Sequence, residues 1–275
     1  FVFSEIEGLK NSSFLSFGKL RASAARTANI AGPYNTSNYY NATGTGDGWT
    51  DGVNFPYQGQ TGFQVSSGLG NPDLKHETQD SWDVGTDLRF LTNRLGLDFT
   101  YFSNKNTDLL MSVPIAPSSG FTSVFLNAAS METKGIEITI TGSPIKNENF
   151  NWDVLANFTK FTNVVTSLAD GVENISLPGG FTTPQVRAVV GREYGSVFGE
   201  DWYRDADGRI LINDDPTDSY RDGYPMTNTS QGLVAIGDTK PDWTANITNT
   251  ISYKNLTFSF LIDVKSGGMM YNGTA

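Results

Sequence analysis

Long stretches of this chain alternate, residue by residue, between bulky apolar and polar side chains. Leu95, Leu97, Phe99 and Tyr101 form one row, and Gly96, Asp98 and Thr100 the other. Trp82, Val84, Leu88 and Phe90 alternate with Asp83, Gly85, Asp87 and Arg89. Ile136, Ile138 and Ile140 alternate with Gly135, Glu137, Thr139 and Thr141. Leu256, Phe258, Phe260, Ile262 and Val264 alternate with Thr257, Ser259, Asp263 and Lys265. A period of two is a strand with one apolar and one polar face. Most of these runs alternate for nine residues or more, whereas strands of soluble domains average about 5–6. The most regular apolar rows hold no charge. A Lys or Arg at a bilayer midplane would cost roughly 2–4 kcal/mol, so such exclusion is expected of a row that touches lipid.

Composition narrows the chemistry. The 275 residues are 38% hydrophobic and 12% aromatic, with Asn, Thr, Ser and Gly abundant, which favours strands and turns over helices. There is no Cys and a single His, so disulfides, thiolate chemistry and a His-rich metal site are excluded. A net charge of −10 argues against nucleic acid as a partner. No apolar run is long enough for a membrane-spanning helix, but a transmembrane barrel needs only strands of about 9–11 residues. The chain opens on Phe1-Val2-Phe3 without Met or a leader and reads as an interior piece of something longer.

Strands are predicted over Phe14–Arg26, Trp82–Phe90, Leu95 towards Leu110, Thr133–Thr141, Phe150 to about Val165, Asp242–Tyr253 and Leu256–Lys265, with Phe1–Ser4 as the tail of another. Turns are expected at Leu91–Arg94, at Gly142-Ser143-Pro144 with Lys146–Asn149, and at Lys254-Asn255. Long loops, at about Thr27–Lys75 and Ser167–Lys240, and a medium loop that holds Pro114, Pro117 and Gly120 separate the remaining strands. Every second connection is therefore short and its neighbours much longer, as in outer-membrane barrels with short periplasmic turns and long extracellular loops. Trp82, Trp243, Trp152 and Tyr253 fall near strand ends, where two interfacial girdles would lie. The polar row, with Asp83, Asp87, Arg89, Asp98, Glu137 and Asp153, would line a lumen. A secreted β-sandwich that binds glycans is the alternative; its apolar row would be core and its polar row a solvated face.

Several sequence words resemble those of the SusC-like (SusC/RagA) TonB-dependent transporters. Gly18-Lys19-Leu20-Arg21-Ala22-Ser23 resembles a strand signature, and Asn71-Pro72-Asp73-Leu74-Lys75-His76-Glu77 an "NPxLKWE" element with His76 in place of Trp. Asn104-Lys105-Asn106-Thr107-Asp108-Leu109-Leu110 looks like a "YxKxTxDLL" strand end, Lys134-Gly135-Ile136-Glu137 like an "NKGIE" strand start, and Ile236–Asp242 like "xGDxxPD". They occur in the family's order along nearly the whole chain. The resemblance implies an all-β fold, part of an antiparallel transmembrane barrel of about 22 strands with a plugged lumen. Residues 1–275 would supply seven or eight strands from the C-terminal half, without plug or TonB box. It implies TonB-driven import of a nutrient oligosaccharide or peptide through the bacterial outer membrane, with a SusD-like surface lipoprotein as lid.

No catalytic set emerges: there is no nucleophile elbow, and Glu200-Asp201 are sequence neighbours rather than a pair flanking a bond. The 167–240 loop holds twelve acidic and six basic residues, −6 of the total −10. Its Trp202, Tyr203, Tyr220 and Tyr224, and Trp49 and Tyr57 of the earlier loop, are candidates to stack on ligand or touch a lid; Trp49, Tyr57, Trp202 and Tyr203 head that set. Asp205 and Asp207, before Gly208, form half of a calcium-loop pattern, but Tyr203 occupies its first position.

Overall fold

A computed structural model describes residues 1–10, 12–45, 52–177, 183–217, 222–227 and 232–272. Its main sheet is a meander of seven long strands: β1 (Leu15–Asn29), β7 (Glu77–Phe90), β8 (Leu95–Pro114), β9 (Ser123–Lys146), β10 (Phe150–Leu168), β15 (Trp243–Tyr253) and β16 (Leu256–Ser266). Each pairs antiparallel with the next in that order. Short strands fill the first long connection: β2 (Tyr40–Ala42) with β5 (Phe63–Val65), β3 (Gly44–Thr45) with β4 (Val53–Asn54), and β6 (Gly68–Leu69) parallel to β9. The second long connection folds into its own sheet of β11 (Asn174–Ser176), β12 (Gln185–Val189), β13 (Ser196–Gly199) and β14 (Val234–Asp238).

The register places every apolar row on one face. Leu97 pairs with Leu88 and Ile140, Phe99 with Thr86 and Ile138, and Ile138 with Phe158. Ile247 opposes Ala156 and Ile262. Among the described residues no second layer covers this face: Val84 is 49% exposed, Ile140 43% and Ile262 50%. The sandwich alternative therefore fails, because its apolar row had to meet an opposing sheet. Asn249, a polar residue in the apolar row, accepts a hydrogen bond from Trp152 Nε1 (3.1 Å). At the other end of the row Trp82 lies 5.4 Å from Tyr101.

The core sits elsewhere. β8, β9 and β10 run for 20, 24 and 19 residues, about twice what a bilayer crossing needs. Their ends nearest the long connections carry Val113, Ala128 and Val165, which bury against Ile175 of β11 and Ala188 of β12. Tyr194 packs beside this cluster, and burial raises its phenol above the usual tyrosine range.

Several sequence expectations change, the first being that β9, predicted from Thr133, starts ten residues earlier at Ser123. The predicted 167–240 loop is largely structured, because its apolar residues find the protruding strand ends. β9 does not turn at Gly142-Ser143-Pro144 but continues to Lys146. A bulge absorbs the extra residues: Trp152 pairs with Ile145 but Val154 with Gly142, and Ser143 N–H donates to Arg94 O (2.8 Å). The turn falls at Asn147, whose Oδ1 accepts the N–H groups of Asn149 and Phe150. β7 starts at Glu77, five residues before the predicted Trp82, so that strand too overruns the apolar row. The predicted Phe1–Ser4 strand tail is reduced to one bridge from Val2 to Lys19, because Phe3–Glu5 coil into a 3-10 turn.

Candidate functional site: a polar wall face and a rim of loops

Asp83, Asp87, Arg89, Asp98, Glu137 and Asp153 share the face opposite the apolar row. Asp87 pairs with Asp98, Asp98 with Thr139, and Glu137 with Thr100 and Thr159. Two of these five carboxylates meet an arginine, and two more are held by neutral side-chain donors. Arg21, on β1, reaches across β7 to Asp98 on β8 with two hydrogen bonds (2.7 and 2.5 Å) and donates to Thr100 Oγ1 (2.5 Å). Gly85 lies directly beneath that side chain, where a Cβ would sit 2.8 Å from Arg21 Nε. Ser23 donates to Asp83; Ser143 (2.5 Å) and Asn151 hold Asp153; Arg89 lies 3.6 Å from Asp87. Thr139, Asn157 and Asn246 form a side-chain chain across three strands (2.8 and 2.9 Å). This is a hydrogen-bonded polar surface that keeps a net negative charge: Asp98 and Asp87 meet arginines, whereas Asp83 and Asp153 are held by neutral donors.

The family-like words prove to be fasteners. Asn127 donates to the Lys75 and Asp108 carbonyls (2.9 and 2.8 Å) and accepts Lys75 N–H (2.9 Å). Asp108 takes a left-handed φ of 58° at a register shift in β8, and Glu77 accepts the Leu110 N–H there (3.1 Å). Asn71 donates to Phe125 O (3.1 Å). The Asn71–Glu77 and Asn104–Leu110 words, together with Asn127, thus clasp one bulged junction between β7, β8 and β9. Gly135 has Phe102 and Phe161 on either side, each leaving a Cβ only 2.6 Å. Sequence inspection misses Asn127 as a pivot, since nothing in its immediate neighbourhood marks the carbonyls it meets.

The Ile236–Asp242 word docks the small sheet on the wall. Ser196 donates to Asp238 (2.7 Å), Thr239 to Gly195 O (3.1 Å) and Lys240 Nζ to Phe161 O (2.8 Å). Lys240 also stands 5.0 Å from the Phe161 ring and 3.8 Å from Glu193. β15 pairs with β10 only as far as Thr159; beyond it, Asn163 and Val165 bond to residues 191–194 instead. An edge that would otherwise be open is covered.

Of the aromatic candidates, Trp49 and Tyr220 lie outside the described residues. Tyr57 is 55% exposed, in a tight turn closed by paired bonds with Gln60 (2.9 Å each). Trp202 is 42% exposed, while Tyr203 is half-buried where three segments meet: Tyr203 N–H bonds to Met226 O, Leu211 N–H to Tyr203 O and Met226 N–H to Leu211 O. Asp205 Oδ1 accepts the N–H groups of Asp207 and Arg209 (2.9 and 2.8 Å), and Asp207 pairs with Arg209 (2.8 Å). The half calcium loop is thus a self-capped turn, and among the described residues no three acidic or His side chains converge.

Comparison with known proteins accords with this geometry. The family model "TonB dependent receptor-like, beta-barrel" matches residues 12–274. TonB-dependent receptor P3 of Formosa agariphila is 29% identical over 283 aligned positions, covering 97% of this chain and 27% of the relative. TonB-dependent receptor SusC of Bacteroides thetaiotaomicron is 26% identical, covering 73% of this chain and 20% of the relative. The RagAB peptide importer in its closed-closed state superposes with a TM-score of 0.72 at 22% identity, over 96% of this chain and 28% of that one, a likeness of fold. The chain spans about a quarter of the length of the curated relatives it matches. A two-faced antiparallel meander with no second layer, matched almost end to end by the barrel model, belongs to the TonB dependent receptor-like β-barrel family, SusC-like in kind, and forms a stretch of barrel wall in the outer membrane.

Proposed function

We propose that this chain forms wall, lumen lining and extracellular rim of a TonB-driven importer that takes up a nutrient oligosaccharide or peptide together with a SusD-like surface lipoprotein. The observation that carries the reading is the division of one sheet into an uncovered apolar face and a hydrogen-bonded polar face. Hydrocarbon accounts for the first and a hydrated, plugged lumen for the second. In this reading Asp83, Asp87, Arg89, Asp98, Glu137 and Asp153 face the lumen and give it a hydrated, net acidic lining. The plug that TonB pulls is not supplied by these strands.

Trp49, Tyr57, Trp202 and Tyr203 are the side chains assigned to ligand or lid contact, since aromatic surfaces serve both sugar stacking and protein docking. The name of the structural relative RagAB, a peptide importer, favours peptide, and the SusC likeness leaves oligosaccharide open. The test is uptake by cells expressing the full-length receptor with its lipoprotein. Trp202→Ala and Trp49→Ala are expected to weaken ligand binding several-fold with normal amounts of receptor in the membrane. Unchanged affinity in both removes these residues from the site. A full-length receptor that stays monodisperse in water without detergent would end the importer reading altogether.

A further inference from the structure

The apolar face changes character toward the long-loop ends of the wall strands. Asp80, Lys105 and Glu132 form one cross-strand row over β7, β8 and β9, with Arg26 opposite Asp80 on β1. Lys134 lies one residue pair lower, opposite Ser103 and Thr162, and Lys160 one pair lower again, opposite Ile136. All of them share the parity of Phe99, Ile138 and Phe158, so they project from the lipid-facing side of the wall, not from the lumen side.

The three lysines descend diagonally, one strand and two residues at each step. The strands are staggered the other way. The register line through Leu95 meets β8 at its first residue, yet it meets β10 at Val154, four residues above that strand's start at Phe150. Strand stagger therefore lifts each later lysine about as much as its lower register drops it, and the three form an arc nearly level with the membrane. Ten residues separate Leu95 from Lys105, roughly 34 Å along the strand and about 25 Å along the membrane normal at a tilt near 40°. That is the height of the apolar band. Trp82, Tyr101 and Phe158 lie just below the arc, where an aromatic girdle marks the boundary of the hydrocarbon.

The arc is basic in an acidic chain. Arg26, Lys105, Lys134 and Lys160 set against Asp80 and Glu132 leave +2, whereas the chain carries −10. Arg26 pairs with Asp80 (2.5 Å) and Lys134 with Glu132 (2.8 Å). Lys105 senses Asp80 only through space, and Lys160 makes no ion pair among the described residues. A lysine held outward at the edge of the hydrocarbon extends its ammonium to headgroup level, where an anion stabilises it. On this face, at this height and on the side of the long loops, the available anions are lipid headgroups.

We propose that Lys105, Lys134 and Lys160, with Arg26, bind the phosphate groups of an anionic lipid in the outer leaflet of the outer membrane. The proposal rests on the wall lying in that membrane with its long loops outward, and not on what the receptor imports.

The test uses the full-length receptor in a neutral detergent, with its melting midpoint followed during titration with a bis-phosphorylated glycolipid, the dephosphorylated form of that glycolipid, or inorganic phosphate. The phosphorylated lipid is expected to raise the midpoint, and the other two are not. In a Lys105→Gln, Lys160→Gln double variant the half-saturating concentration should rise at least fivefold. Folding of the variant is checked by its migration in unheated gels. Should the double variant not fold, Lys160→Gln alone is expected to show at least a twofold rise, with Lys160→Arg keeping the wild-type response. Lys19→Gln, on the lumen-side parity, should leave the response unchanged. An equal response to the dephosphorylated lipid or to inorganic phosphate, a wild-type receptor that does not respond, or Gln variants that respond as wild type would each overturn the proposal. Loss of import with lipid binding intact would bear on the importer reading alone.

Discussion

The same strands serve two solvents, and their lower and upper halves are built differently. Below, between Leu95 and roughly Tyr101 on β8, the wall is one layer thick and its apolar side chains remain uncovered by protein. Above, the same strand ends in Val113, which is buried against residues of the small sheet. The lower half draws its apolar stabilisation from lipid, which asks only that side chains be apolar. The upper half stands in water and must bury its apolar groups against protein, which demands fitted shapes. One sequence can therefore read as monotonous alternation in the first half and as irregular loops in the second.

Substitutions can break this contrast. The largest effect is expected from Ile175→Ala, which truncates a side chain only 1% exposed. It should cost the small sheet about 2–5 kcal/mol and expose the 167–240 connection to protease, while the wall keeps its folded migration in unheated gels. Equal loss of wall and rim would show that the two halves are a single cooperative unit. Phe99→Arg should cost roughly 2–4 kcal/mol in the lipid band, measured by urea unfolding of the receptor in vesicles, and should spare the rim from protease. A neutral outcome would mean that Phe99 does not face hydrocarbon.

Gly135→Val tests the wall from its polar side, because a Cβ there meets Phe102, Phe161 and the Lys160 carbonyl within 2.9 Å. Overpacking of about 1–3 kcal/mol is expected, read in the same unfolding assay. Gly142→Val is the control, since only the Arg94 carbonyl, 4.0 Å away, lies near its Cβ. The smallest effect belongs to Asp98→Asn. The Arg21–Asp98 pair is more than a third exposed, so its loss should cost no more than about 1 kcal/mol. A larger cost, measured against Arg21→Gln and the double variant in a cycle, would show that this face is drier than a water-filled lumen.

Legibility followed the same division. The seven wall strands, their order and the faces of Asp83, Asp98 and Glu137 could be read from alternation, because each residue's environment there is set by parity. The small sheet was read as loop: Ile175, Ala188 and Val197 stand in short runs whose partners lie on distant strand ends. Asp205 was readable as part of a turn, whereas its backbone partners, Asp207 and Arg209, became visible only in the structure. The family-like words were recognisable as words, but their work as fasteners of the β8 bulge and of the rim became visible only when Asn127 met Lys75 and Lys240 met Phe161.

Which side chains share a face was settled by alternation alone, since a strand offers just two faces; that the apolar face meets lipid and not a second sheet was decided by the fold. Where the strands bulge, how far they rise beyond the membrane, and which lysines line up at one height were decided by pairing between strands. Those depend on register and stagger, and a register belongs to two strands at once.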